Sequence, residues 1–283
     1  MTLQEVQKVL RDIMSEIDRI CRTHQIPYTL FCGSMLGAVR EKGMIPWDDD
    51  MDIRIWRKDY SRLRESLKAE LPEHLKLVEP TDLCPNFFNF VPRVCDTRYY
   101  WHEPTETDQA FDNLQNHVCV DIFMAISSGD TERTHNRMAH RLMAYHALAL
   151  GHRPRSMGLT EKPANLIEKI GISMVPAFGR MIPMEKICQR REKWMDRHQH
   201  VGGKYFLCVN IEPNNMAKRH YECAWAQEYH PVPFDDRKFM IENGYHEELT
   251  LEYGDYMTPV RDAGQFKVHF DEKAQEERIS GNE

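Results

Sequence analysis

The chain has 283 residues, 41% of them hydrophobic, and a formal net charge of −7. That length and apolar content suffice for a sizeable core in one large domain or two small ones, which points to a globular enzyme. The negative balance speaks against a nucleic-acid partner, since a duplex calls for a basic face to neutralise its phosphates.

The first residues, MTLQEVQKVLRD, have neither the basic segment nor the apolar run of a signal peptide. No stretch reaches the roughly 18 to 20 apolar residues of a membrane span. A cytoplasmic location is therefore expected, with peripheral attachment at the inner membrane face as its variant. The eight cysteines contain no C-x-x-C pair and are expected to be mostly reduced core thiols. His220 and Cys223 have a metal-compatible spacing but no second pair to complete a zinc site.

Thr2 to His24 carries Leu3, Val6, Leu10, Ile13, Ile17 and Ile20 at three- and four-residue steps, and Thr2 with Glu5 has the spacing of a capping box. This predicts an amphipathic packing helix. Tyr28 to Cys32 predicts a short core strand ending at Gly33, and Met35 to Arg40 predicts one or two helical turns. Gly33 and Ser34 then lie near a helix N-terminus, where free N–H groups and the dipole favour an anion such as phosphate. A tight turn is the plain alternative for Gly33.

Four carboxylates follow: Asp48, Asp49, Asp50 and Asp52. A strand over Met51 to Ile55 puts Asp50 and Asp52 on one face, because side chains alternate. Two carboxylates on one face suit Mg2+ or Mn2+, since such cations take oxygen ligands and share them with substrate phosphates. An acidic surface turn is the alternative.

Lys58 to Leu71 predicts a second helix through Tyr60, Leu63, Leu67 and Leu71, and Leu75 to Val78 a strand between Pro72 and Pro80. Phe87 to Asp96 predicts another strand, at an edge or with a bulge because of Pro92. Val118 to Ala125 is an apolar run interrupted once, by Asp121. A carboxylate there is costly unless it is paired, bound to metal or capping a neighbouring backbone. From Asp130 the chain turns helix-rich and basic, with helices predicted over Thr131 to Leu150, Ala164 to Ile170 and Met184 to His200, and a strand over Tyr205 to Val209. Ile170 to Met184 reads as a buried connection, with an apolar patch that meets a lipid-linked acceptor as the alternative. The charged tail after Phe270 is expected to fray.

Residues Gly33 to Ile53, GSMLGAVREKGMIPWDDDMDI, resemble the signature block of the LicD family, nucleotidyltransferase-like enzymes related to the fukutin-related proteins. The V-D-I-F at Val120 to Phe123 and the LEYGDYMTPV at Leu251 to Val260 resemble two further family elements, the second with Val260 where a proline is usual. The resemblance implies an α/β (α+β) fold, a nucleotidyltransferase-like mixed sheet flanked by helices. Residues 1–128 would form the catalytic core, and the helix-rich residues 129–283 would complete the site and bind acceptor. It also implies a CDP-activated donor, CDP-choline or a CDP-alditol. The phospho-alcohol, commonly phosphocholine, would move to a hydroxyl of a cell-surface glycan or a lipid-linked glycan precursor.

Under this resemblance Asp50, Asp52 and Asp121 form a three-carboxylate site for one or two ions of Mg2+ or Mn2+. Asp121 is also the candidate base, with Asp48 or Asp49 in reserve. Arg93 and Thr97 match a family pair that usually begins with Lys, and with Gly33, Ser34 and Arg40 they form the expected set for donor phosphate and nucleotide. A quaternary ammonium calls for aromatic faces, for which Trp101 and Tyr99, with Tyr100, are candidates. Asp255 is a candidate for orienting the site, or part of a simple Gly-Asp turn. Two rival readings stand: a metal-dependent glycosyltransferase that holds a nucleotide-sugar through D-x-D, and a non-catalytic binding protein on the same fold. Three retained carboxylates speak against the second.

Overall fold

The computed structural model describes residues 1–157, 174–199, 202–211 and 213–259. The helix expected over Ala164 to Ile170 and the tail after Phe270 lie outside them.

Helix α1 (Leu3–Thr23) begins at the expected capping box: the Thr2 hydroxyl accepts from the Glu5 N–H, and the Glu5 carboxylate accepts from the Thr2 N–H. Its buried stripe of Val6, Leu10, Ile13, Ile17 and Ile20 lies against the central sheet. Strand β1 (Thr29–Leu30) is shorter than expected, because Phe31 serves as an extended N-cap and α2 (Cys32–Arg40) starts at once. Strand β2 (Met51–Trp56) and helix α3 (Arg57–Glu70) follow, then β3 (Leu75–Val78). Strand β4 (Arg93–Tyr100) begins only after Pro92, which has no N–H to give a ladder. The preceding Phe87 and Phe90 instead form a buried cluster with Ile187 and Cys188. A short helix α4 (Glu106–Gln109) lies in the connection to the long β5 (His117–Gly129).

These strands make a mixed sheet in the order β1-β2-β5-β4-β3. β2 runs parallel to β5, while β1, β3 and β4 pair antiparallel with their neighbours. α1 and α3 cover the face that carries Ile53, Ile55, Val94, Val120, Ile122 and Met124. Alternation then sends Asp52, Arg54, Arg93 and Asp121 to the opposite face. The fold is α/β, with parallel and antiparallel pairing and flanking helices, as expected.

The second half contributes α5 (Glu132–Ala149), α6 (Met184–His198), the short α7 (Pro213–Met216) and α8 (Tyr245–Tyr253). It also adds strands to the same sheet: β6 (Tyr205–Cys208) pairs the far end of β5, and β7 (Tyr221–Glu222) pairs β6. A hairpin of β8 (Tyr229–Phe234) and β9 (Arg237–Glu242), turning at Asp235 with φ +52°, was not expected from sequence, since Pro231 and Pro233 read as strand breakers. The described part of Ile170 to Met184 differs from the buried connection expected: Met174, Phe178 and Met181 are exposed.

One buried cluster ties the halves together. Arg54, 2% exposed, pairs with Glu242 at 2.6 Å and Glu248 at 2.8 Å, from β9 and α8. Its guanidinium lies 4.8 Å from the ring centroids of both Phe31 and Phe206. Burial and the like charge of Glu242 raise the Glu248 carboxyl well above its usual range although Arg54 opposes this.

Candidate active site

The junction of α2 and β2 is built by close backbone approach. The Ser34 hydroxyl accepts from the Asp52 N–H at 2.8 Å, which ties the first turn of α2 to the start of β2. A Cβ on Gly33 would stand 2.8 Å from Asp48 Oδ2, so a larger residue there would push that carboxylate aside. From α1, Gln7 Nε2 donates to the carbonyls of Asp48 at 2.8 Å and Ile45 at 3.2 Å, which holds the acidic turn in place. Carboxylate oxygens of Asp48, Asp49 and Asp50 lie within 4.8 Å of one another, and among the described residues this is the one group of three or more such side chains that converges in this way.

Strand register supplies a second convergence. Asp52 stands opposite Asp121 in the parallel β2–β5 pair, and Arg93 stands opposite Asp121 in the antiparallel β4–β5 pair. Three adjacent strands thus present Asp52, Asp121 and Arg93 in one row on one face. Arg93 Nε lies 3.2 Å from Asp121 Oδ1, and an Arg93 terminal nitrogen donates to Asp121 Oδ2 at 3.3 Å. Phe88 lies under the Arg93 guanidinium at 5.4 Å.

The charges are unequal. Burial, then Asp50, then Asp49, pushes Asp48 up to about 8. Burial, then Asp50, Asp121 and Asp48, holds Asp52 well above the carboxylate range, with Arg93 opposing. Burial acts to lower Arg93, but Asp121 first and then Cys119, Cys95 and Asp52 raise it, so it stays charged. The row and the acidic turn border a cavity of about 550 Å3, lined by Asp50, Asp52, Arg93 and Asp121. Its remaining wall includes Phe88 and, from the β4–β5 connection, Trp101, His102, Thr105, Gln115 and Asn116.

A profile of the nucleotidyltransferase domain of the LicD, FKTN and FKRP proteins matches residues 25–149, which include α2, the acidic turn and the whole Asp52–Asp121–Arg93 row. The lipopolysaccharide cholinephosphotransferase LicD of Haemophilus influenzae is 26% identical over 259 residues, 91% of this chain and 92% of that protein. Residues 25–149 thus match a LicD-type nucleotidyltransferase domain. An uncharacterized protein of Rickettsia prowazekii is 38% identical over a shorter span of 58 residues, 20% of this chain and 22% of that protein.

The other residues singled out from sequence lie in varied places. Trp101 lines the cavity, whereas Tyr99 packs against the main core and Tyr100 stacks on His117 at 4.4 Å. Thr97 is exposed and donates to the His74 carbonyl at 3.0 Å, outside the cavity lining. A register shift between Cys95 and Tyr100 separates it from the Arg93 end of β4. Arg40 bonds Glu41 at 2.7 Å and the Tyr256 carbonyl at 3.1 Å, so it ties α2 to the YGDYM element. Asp255 is exposed in the turn after α8 and accepts from the Thr258 hydroxyl at 2.7 Å. His220 packs on His135, 4.5 Å between ring centroids, while Cys223 lies 3.9 Å from the Ser127 hydroxyl. All eight cysteines are free and five are buried. Phe88 and, Trp101 apart, the wall residues of the β4–β5 connection were not singled out by sequence. WHEPTETDQAFDNLQN has no period, and the one available signal was that a rigid sheet commonly carries its binding groups on such loops.

Proposed function

We propose that the chain transfers a phospho-alcohol, with phosphocholine the leading choice, from a CDP-activated donor to a hydroxyl of a cell-surface glycan or lipid-linked glycan precursor. The observation that carries this reading is the register row of Asp52, Asp121 and Arg93 beside Asp50, with carboxylates and a buried cation facing one cavity. The relative named as a lipopolysaccharide cholinephosphotransferase supports the choice of cargo.

The donor set fits Mg2+ or Mn2+. Its ligands are hard oxygens, and the raised Asp48 and Asp52 mark negative charge that a dication would relieve. Asp50, Asp52 and Asp121 would hold the metal, which when bound offsets charge that develops on the donor phosphates as the bond to the leaving nucleotide breaks. Arg93, which pairs with Asp121, would share the phosphate charge through charge-assisted hydrogen bonds and fix the orientation of Asp121. The first-turn amide at Gly33 offers a further donor, whereas the Ser34 N–H donates to the Phe31 carbonyl at 3.1 Å and its hydroxyl accepts from the Asp52 N–H. Asp121 takes the acceptor proton in this scheme, and Asp48 or Asp49 does so if Arg93 keeps both Asp121 oxygens.

Residues 129–283 complete the site and bind acceptor in the same proposal. The exposed Met174, Phe178 and Met181 form the surface that a lipid-linked acceptor would meet at the cytoplasmic face of a membrane. No helix among the described residues is long and apolar enough to cross one.

The test is a screen of CDP-choline, CDP-ribitol and CDP-glycerol for release of CMP with Mg2+ or Mn2+. Metal-dependent turnover of one donor is expected. Equal affinity for UDP-sugars would favour the glycosyltransferase reading, and metal-independent binding without turnover a binding protein.

A further inference from the structure

The β4–β5 connection contributes more to the cavity than a diphosphate site needs. Asn116 lines it and is 1% exposed. Its Nδ2 donates to the His102 carbonyl at 2.9 Å, which only the amino side of the amide can do, so Oδ1 is directed elsewhere. Oδ1 has no hydrogen-bond partner. Other described residues also have buried side-chain oxygens without a donor, but Asn116 is the one among them that lines this cavity. A buried acceptor in that state is unfavourable unless a ligand brings the donor. Its neighbour Gln115 is committed, because its amide donates to Asp108, whose other oxygen accepts from the Thr105 N–H and hydroxyl at 2.7 Å each.

Trp101 is next to it in space: the Trp101 backbone N–H donates to the Asn116 carbonyl at 2.9 Å, and both side chains line the cavity. An aromatic plane beside an unsatisfied acceptor suits a planar ring that carries an amino group, which can stack and donate at once. A trimethylammonium group has no N–H to give. The direction of transfer agrees, since the acceptor hydroxyl must approach the phosphorus from solvent. The phospho-alcohol therefore faces the opening, and the nucleoside lies inward.

We propose that the Trp101–Asn116 wall is the nucleobase subsite, in which Asn116 Oδ1 accepts from the exocyclic amine of a 4-aminopyrimidine. This rests on the reading of a CDP-linked donor and reassigns Trp101 from the alcohol to the base. A 4-oxo base would set its own acceptor against Oδ1.

Calorimetry of CMP, UMP and phosphocholine with the full chain in Mn2+ tests it, on wild type, Asn116→Ala and Asn116→Ser. Wild type should bind CMP about tenfold or more tightly than UMP, the scale of one hydrogen bond gained and one clash avoided. Both variants should bring the ratio to within about twofold, with phosphocholine affinity unchanged. Equal binding of CMP and UMP by wild type, alongside intact CDP-choline turnover, overturns the inference and leaves the proposed function standing. So does a variant that loses phosphocholine binding and keeps the CMP preference. If wild type binds neither CMP nor CDP-choline, the donor reading falls and this inference with it. The wild-type ratio needs no variant, so the test survives even if both substitutions prevent folding.

Discussion

Asp48 and Asp52 are carboxyls whose surroundings oppose their ionisation, and this has a measurable sign. An acid whose folded-state value is raised contributes stability at low pH and loses it as pH rises through that value. For Asp48 the window runs from its ordinary 3.8 to about 8. Without metal, the protein should therefore lose stability to denaturant between about pH 4 and pH 8. Asp48→Asn should flatten that slope, and a slope identical to wild type would show that the charge crowding is absent. Asp52→Asn keeps shape and removes a charge, so metal-free stability should hold or rise. Turnover should fall at least about a hundredfold, the scale of losing a main electrostatic stabiliser. Near wild-type turnover would remove Asp52 from the site. Much of this was legible in the sequence: Asp121 stood out as the single charge in an apolar run, and Asp50 and Asp52 through period-two alternation. The pairing of Arg93 with Asp121 was not, because it depends on the register between strands 28 residues apart.

At the scale of elements, the Arg54 cluster makes a prediction with internal contrast. Glu248→Gln keeps an acceptor for Arg54 and removes a charge that burial and Glu242 disfavour, so it should change unfolding free energy by less than about 1 kcal/mol. Arg54→Ala leaves two carboxyls without their cation and should cost about 3–5 kcal/mol in chemical unfolding. Equal losses in the two variants would show that Arg54 needs the Glu248 charge. Sequence periodicity foresaw α1 and α3, because each buries one stripe of a 3.6-residue repeat, and the helix-rich character after Asp130 foresaw α5 and α6. It missed the β8–β9 hairpin, whose prolines are tolerated because β8 has a single sheet neighbour. It overextended the strands around Phe31 and Phe90, where apolar residues are buried by packing outside the ladder.

For the whole molecule, a metal that binds the folded state should raise the melting temperature by mass action, by about 2.7 kcal/mol at a hundredfold excess over its dissociation constant. Titration of Mn2+ into wild type and Asp121→Asn checks this. The variant leaves Arg93 without its carboxylate and should lose some metal-free stability, respond less to Mn2+ and be inactive. If it keeps the full response to Mn2+, Asp121 is a structural partner of Arg93 and no metal ligand.

Arg54 finds its carboxyls 188 and 194 residues further along the chain. While the protein emerges from the ribosome, the strand that bears Asp52 thus waits, with an uncompensated guanidinium, for almost the whole of translation. Residues 1–149 hold each proposed ligand of the metal, yet released alone they should stay a chaperone client. Co-expression with a separate 202–259 segment is the way to look for rescue, and a fragment that folds unaided would show that the first half matures independently.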